Sequence, residues 1–136
     1  MVTLVDANVL IDLFIDDPTW SNWSIGKLRR RARLGPLYIN DVVYAEASTR
    51  FGSVLEFETA LGLAGVAVRP TPPVALFLAG KAYRQYRRAG GPRTGVLPDF
   101  FIGAHAVEEK FTLLTRDARR YRHYFPTVEL ITPDVN

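Results

Sequence analysis

The stretch VTLVDANVLID, residues 2–12, decides the fold class. Val2, Leu4 and Val5 read as a buried strand, the run stops on an ionisable group, Asp6, and a helical pattern, NVLIDLF, follows at once. A lone carboxylate leaving a buried strand is costly, so Asp6 needs a helix to cap, a cation to meet or chemistry to perform. Further along, Leu37–Ile39, Val66–Val68, Thr112–Thr115 and Val128–Ile131 read as strands like Val2–Val5, and helical patterns fill the intervals. SNWSIGKLRRRARL turns Trp23, Leu28 and Ile25 toward a core, DVVYAEASTRF begins after an Asn40 or Asp41 cap, and VLEFETALGLAG ends on a glycine stop. A long helix is predicted from Pro73 to about Arg88, ended by Gly90-Gly91-Pro92, and PDFFIGAHAVEEK leads into FTLLT. Strands alternating with helices, without tight hairpin signals, predict an α/β fold with a parallel sheet covered on both faces.

With 136 residues, 48% hydrophobic and 23% charged, the chain reads as one ordinary globular domain over 1–136, with no linker, repeat or low-complexity segment. The absence of cysteine excludes disulfides and thiolate metal sites. Only His105 and His123 offer nitrogen ligands, with no ligand cluster around them, so zinc chemistry is not expected. The N-terminus lacks a basic leader region, Asp6, Asn8 and Asp12 interrupt its apolar run, and no span approaches a membrane helix. The expectation is a cytoplasmic protein without a membrane partner.

The net charge of +3 is unevenly spread. Positive residues gather in KLRRRAR (27–33), YRQYRRAGGPRTG (83–95) and RDARRYRHY (116–124). Arginine interleaved with tyrosine suits phosphate contacts and base stacking, although solvated helix faces would look the same. Arg29, Arg30, Arg33, Arg87, Arg88 and Arg93 are the candidates for holding a phosphate backbone.

Parallel sheets bind ligands beyond the carboxyl ends of their strands, near a topological switch point. Asp6 leaves its strand at that edge, and so does Asp117, two residues past Thr115. Two more acids have awkward neighbours. Glu46 lies within VVYAEAS, on a helical stripe with Val42, Val43 and residue 50. Asp99 follows Pro98 at the start of an apolar helix. Each has a plain structural role open to it: Asp6 and Asp117 as caps, Asp99 as complement to a helix dipole, Glu46 as a snorkelling side chain. Four carboxylates converging without balancing lysines would repel one another unless a multivalent cation held them, and all-oxygen ligation suits Mg²⁺ or Mn²⁺. Acids beside arginine-rich helices then imply phosphodiester cleavage.

LVDANVLID, YAEAS, LPDFFIGAHA and LLTRDARRY, in that order, resemble the PIN-domain ribonucleases, and most closely the VapC toxins of VapBC toxin–antitoxin pairs. The resemblance runs from Val2 to the last strand near Leu130. It implies a three-layer α/β/α domain with a central parallel sheet of about five short strands, and a Mg²⁺- or Mn²⁺-dependent endoribonuclease site. By motif match it carries the catalytic, metal-ligating quartet onto Asp6, Glu46, Asp99 and Asp117, and the supporting polar positions onto Asn8 and Thr115. It further implies an RNA substrate, a homodimer and a cognate antitoxin. Ala7, where Thr or Ser is common, and the bulky Phe100-Phe101 depart from the family pattern.

Other readings fit less well. A haloacid dehalogenase-type phosphatase wants a second acid where Asn8 stands, and Lys81 and Lys110 are poorly placed for its lysine. A receiver domain wants an acid pair after the first strand, whereas Asp16-Asp17 lie a helix away. A catalytically inactive nucleic-acid-binding module of the same fold stays open. WSNW (20–23) reads as helix-start packing, His105 as a satisfied core or interface histidine, His123 as surface, and Gly90-Gly91 as a helix stop.

Overall fold

All five apolar runs pair as parallel strands in the computed structural model, which describes residues 1–93 and 96–133. They are β1 (Thr3–Val5), β2 (Leu37–Ile39), β3 (Val66–Val68), β4 (Thr112–Leu114) and β5 (Leu130–Ile131), in the order β3-β2-β1-β4-β5. The register sets Thr3 beside both Leu37 and Thr112, Leu37 beside Val66, and Leu113 beside Leu130. The first and last strands are shorter than the sequence predicts. β4 ends one residue early, at Leu114, yet the Thr115 N–H still donates to the Ile131 carbonyl at 3.1 Å.

Among the described residues seven helices connect and flank the sheet: α1 (Ala7–Phe14), α2 (Ser21–Leu34), α3 (Asp41–Ala47), α4 (Val54–Ala64), α5 (Pro73–Arg88), α6 (Leu97–Glu109) and α7 (Arg119–Tyr124). Their ends follow local chemistry. Asn40 caps α3, its Oδ1 accepting from the Val43 N–H at 2.9 Å, and Ser53 caps α4 through the Glu56 N–H at 3.1 Å. Gly65 ends α4 at φ +73°, the left-handed conformation glycine adopts most cheaply. One expectation is corrected: α3 stops at Ala47 and a 3₁₀ turn, Ser48–Arg50, follows, so residue 50 does not extend the Glu46 stripe. Ser48 hydrogen-bonds back to the Ala45 carbonyl there, as hydroxyls do where a helix gives way to a turn.

Leu4, Val5, Val9, Leu10, Ile39, Phe57, Phe100, Ile102, Leu113 and Leu114 form the fully buried core. β1, at the centre, is buried at every residue, as a parallel strand covered on both faces is. The sheet order turns back between β1 and β4, since β2 and β3 build outward on one side and β4 and β5 on the other. That reversal is the switch point. The Asp6 N–H donates across it to the Leu114 carbonyl at 2.9 Å. Among the described residues no helix is long and apolar enough to cross a membrane.

Candidate acidic site at the switch point

Asp6 both caps a helix and enters a cluster. Its Oδ1 accepts from the Ala7 N–H at 2.7 Å, which starts α1. Its Oδ2 accepts from the Thr115 hydroxyl at 2.8 Å and the Tyr121 hydroxyl at 2.9 Å. Burial pushes the Asp6 carboxyl up to about 6; the Thr115 and Tyr121 hydroxyls and the Ala7 N–H pull against that, and the nearby charge of Asp99 adds to it.

Glu46, half-buried on α3, is pushed up to about 7, first by burial and then by the charges of Asp6 and Asp99. Asp99, in the first turn of α6 beside Pro98, is also raised by burial, against the pull of Arg120. Its Oδ2 accepts from Arg120 Nη1 at 2.5 Å, and its Oδ1 lies 3.5 Å from the Tyr121 hydroxyl. These mutual effects show three acids, from three different elements, sharing one electrostatic neighbourhood. Asp117 sits at its rim: exposed, near enough to raise Asp99, with its Oδ1 accepting from the Arg119 N–H at 3.4 Å. The N-cap position of α7 belongs to Ala118, so Asp117 is not its N-cap residue.

Asn8 and Thr115 lie next to Asp6 and to each other. Asn8 Nδ2 donates to Thr115 Oγ1 at 3.4 Å, and Asn8 Oδ1 accepts from the Arg116 N–H at 3.1 Å. Thr115 Oγ1 accepts from the Asp117 N–H at 3.1 Å while it donates to Asp6. One hydroxyl therefore ties the strand-end loop of β4 to the strand-end acid of β1.

Three neighbours of these residues are missed by sequence reading. Tyr121 is 1% exposed, and burial followed by the carboxylates raises its hydroxyl well above the usual 10, so it stays a neutral donor. Arg120 is the cation of the cluster. Asp12, also buried, takes Arg116 in a two-pronged pair at 2.6 and 2.9 Å and accepts from Ser24 at 2.8 Å. The Arg116 guanidinium lies 5.0 Å from the Trp20 ring centre, which gives the WSNW stretch its helix-start role and fixes the loop carrying Thr115 and Asp117. The only advance signal was the density of polar residues in RDARRY, which does not say which one turns inward.

The basic residues divide by place. Arg31 is buried, donating through Nε to Thr3 Oγ1 at 2.9 Å, which puts the C-terminal half of α2, with Arg30 and Arg33, toward the edge of the sheet opposite the acids. Tyr83 and Tyr86 pack on Phe100, at 5.6 and 5.4 Å between ring centres, so the end of α5, with Arg87 and Arg88 and with Arg93 beyond, belongs to the acidic edge. Thr94 and Gly95, the last of that basic stretch, lie outside the described residues. His105 is a satisfied core histidine: Asn40 Nδ2 donates to its Nδ1 at 3.3 Å, so its Nε2 carries the proton toward Glu109 at 2.5 Å.

An all-oxygen donor set with more negative charge than its surroundings balance fits a hard divalent cation in chemistry and charge. Among the described residues, no three acids or histidines are yet gathered closely enough to ligate one ion. Asp99 instead pairs with Arg120, and Asp6 accepts from Thr115 and Tyr121.

The family model of the PIN domain matches residues 3–126. No curated protein matches the chain in sequence. A chain in the structure of VapBC2 from Rickettsia felis, bound to a DNA fragment from its promoter, is similar at TM-score 0.72 and 18% identity, over 97% of this chain and 98% of that one. A chain of VapBC-1 from nontypeable Haemophilus influenzae gives 0.68 at 20% over 97% and 98%, and DNA-bound VapBC from Salmonella typhimurium 0.69 at 18% over the same shares. Likeness at such identities speaks for the fold.

Proposed function

The chain belongs to the PIN domain family, and from that premise we propose that it is a metal-dependent endoribonuclease, the toxin of a type II toxin–antitoxin pair acting in the cytoplasm. The observation that supports this reading is that Asp6, Glu46 and Asp99 lie near one another at the sheet's switch point, each with its carboxyl raised by burial. Asp6 and Asp99 would anchor the cation, with Glu46 and Asp117 completing the set directly or through water. Bound there, Mg²⁺ or Mn²⁺ supplies Lewis acidity, making water a better nucleophile and neutralising charge in the in-line displacement. A carboxylate that does not anchor the cation, Glu46 or Asp117, would orient the attacking water and accept its proton. Thr115 and Tyr121 hold Asp6 ionised, and Asn8 holds Thr115. Arg87, Arg88 and Arg93 grip the RNA backbone at the acidic edge, and Arg29, Arg30 and Arg33 serve only an RNA long enough to reach round the sheet.

Support for an antitoxin partner comes from a cleft of about 500 Å³ between α1, α2 and α4, walled by Leu13, Phe14, Ile25, Leu28 and Leu63 with Arg29 at its rim. Val74 and Phe77, exposed on α5, favour a second copy of the chain. The test is RNA cleavage in Mg²⁺ or Mn²⁺ against EDTA and against an Asp99→Asn preparation made identically. Cutting lost in both controls supports the reading; wild type and variant behaving alike sinks it. The rival, a catalytically inactive nucleic-acid-binding module of the same fold, draws on the Arg120–Asp99 pair already present, and it requires RNA binding that survives chelation without cleavage.

A further inference from the structure

Beside the acids, at the end of α5 and along α7, lies a cavity of about 380 Å³ lined by Tyr86, Asp117, Arg119, Arg120, His123 and Tyr124. A second hollow, lined also by Arg116, Ala118 and Arg122, shares Asp117, Arg119 and His123 with this trough. Its aromatic rings are set edge to face: His123 and Tyr124 at 4.5 Å and 75°, Tyr86 and Tyr124 at 6.0 Å and 76°. The Arg120 guanidinium lies 5.8 Å from the Tyr86 ring centre while its Nη1 reaches Asp99. Arg120 is thus shared between trough and acids, and Asp117 belongs to both.

We propose that this trough is a nucleotide subsite of the enzyme, binding one unstacked base and the adjoining phosphate of single-stranded RNA next to the bond to be cut. The inference rests on the ribonuclease reading for the identity of the ligand and on the trough itself for its chemistry. Guanidinium groups are donor-only forks matched to phosphate oxygens, and Arg119 and Arg120 supply two on consecutive residues. Histidine and tyrosine rings offer stacking surfaces to any base, and a base can reach them only when it is unpaired. The volume lies at the small end of ligand sites, about 300–1,000 Å³, which suits one nucleotide and not a duplex. Substrate phosphate also has a route for Arg120, from Asp99 to the backbone, without moving the helix. α7 then has two sides: Tyr121 faces the acids and Arg119, Arg120 and His123 face the strand.

The test is titration of a fluorescently labelled, mixed-sequence 2′-O-methyl RNA hexamer into full-length protein in metal-free buffer. Wild type is compared with Arg119→Ala, His123→Ala, the double variant and, as a control beside Met1 and Val2 at the opposite edge of the sheet, Lys110→Ala; thermal melting checks that each folds. Arg119 and His123 are both expected to matter, the double variant weakening binding at least tenfold and lowering the slope of log affinity against log salt by about one. Lys110→Ala should stay within about twofold on so short a strand. A double variant binding within twofold of wild type overturns the subsite, and so does a wild type that does not bind. Cleavage in Mn²⁺ is measured on the same preparations. Wild type that cuts RNA while the double variant binds it normally removes the subsite and leaves the ribonuclease. Binding lost in the double variant, with no cleavage by wild type, keeps the subsite and removes the ribonuclease.

Discussion

Tyr121 shows how much one hydroxyl can govern. It has a single proton to give, and the shorter contact, 2.9 Å to Asp6 against 3.5 Å to Asp99, says where the proton goes. A hydrogen bond to a charged acceptor contributes about 1.5–3 kcal/mol, so Tyr121→Phe should destabilise the fold by that order, read by urea melting. The same loss removes a group that lowers the Asp6 carboxyl, so that carboxyl rises further above about 6. The acid limb of any cleavage profile should then move to higher pH, and Thr115→Val should move it the same way. An unshifted limb would mean that Asp6 does not govern the rate. Arg120 acts in the opposite sense. Its guanidinium already neutralises Asp99 at a contact about 30% exposed on each side, so it competes with any divalent cation. Arg120→Ala should therefore bind Mn²⁺ more tightly, by severalfold in calorimetry, with Arg120→Lys in between; looser binding would show that Arg120 preorganises the site instead.

Whole elements carry these side chains to their positions, and α6 does so through a gap. A Cβ on Gly103 would meet the Phe125 ring at 2.3 Å, so glycine lets α6 lie against the residue that ends α7. Gly103→Ala overpacks that contact and should cost about 1–3 kcal/mol, with cleavage falling more than stability alone explains because Asp99 shifts with its helix. Equal cleavage per folded molecule would show that Asp99 does not depend on that packing. Elements were legible in advance for the same physical reasons that hold them: apolar runs bounded by Asn40, Gly65, Pro73 and Pro98 gave strands and helices near their observed places. The acids were legible because a carboxylate beside Val5 or among the residues of α6 conflicts with its neighbours. Their partners were not, because Tyr121 to Asp6 and Arg116 to Asp12 are contacts across more than a hundred residues, and a solvated arginine reads like a buried one. Arg31 shows this most plainly: three consecutive arginines look alike in sequence, yet the last turn of α2 sends one inward to Thr3.

At the scale of the molecule, a sheet that reverses between β1 and β4 brings two strand ends, and α3, α6 and α7 with them, to a single point. That convergence is unfavourable by itself, since it buries charge, and its signature is a pH dependence opposite to the usual one. Asp6 at about 6 and Glu46 at about 7 both lie above their unfolded values, 3.8 and 4.5, so between those limits the folded chain binds more protons than the unfolded one. Stability must then fall as pH rises from about 4 to 7. Without added metal, the melting temperature should be several degrees higher near pH 5 than near pH 7.5, after allowance for the other groups by comparison with a Glu46→Gln variant, whose slope should be shallower. Mn²⁺ needs the ionised carboxylates, so it should raise the melting temperature strongly at pH 7.5 and little at pH 5, and so flatten or invert the curve. A metal-free curve that rises toward pH 7.5 as steeply in wild type as in Glu46→Gln would mean that the acids do not crowd one another, and the strongest physical reason for a cation at the switch point would be gone.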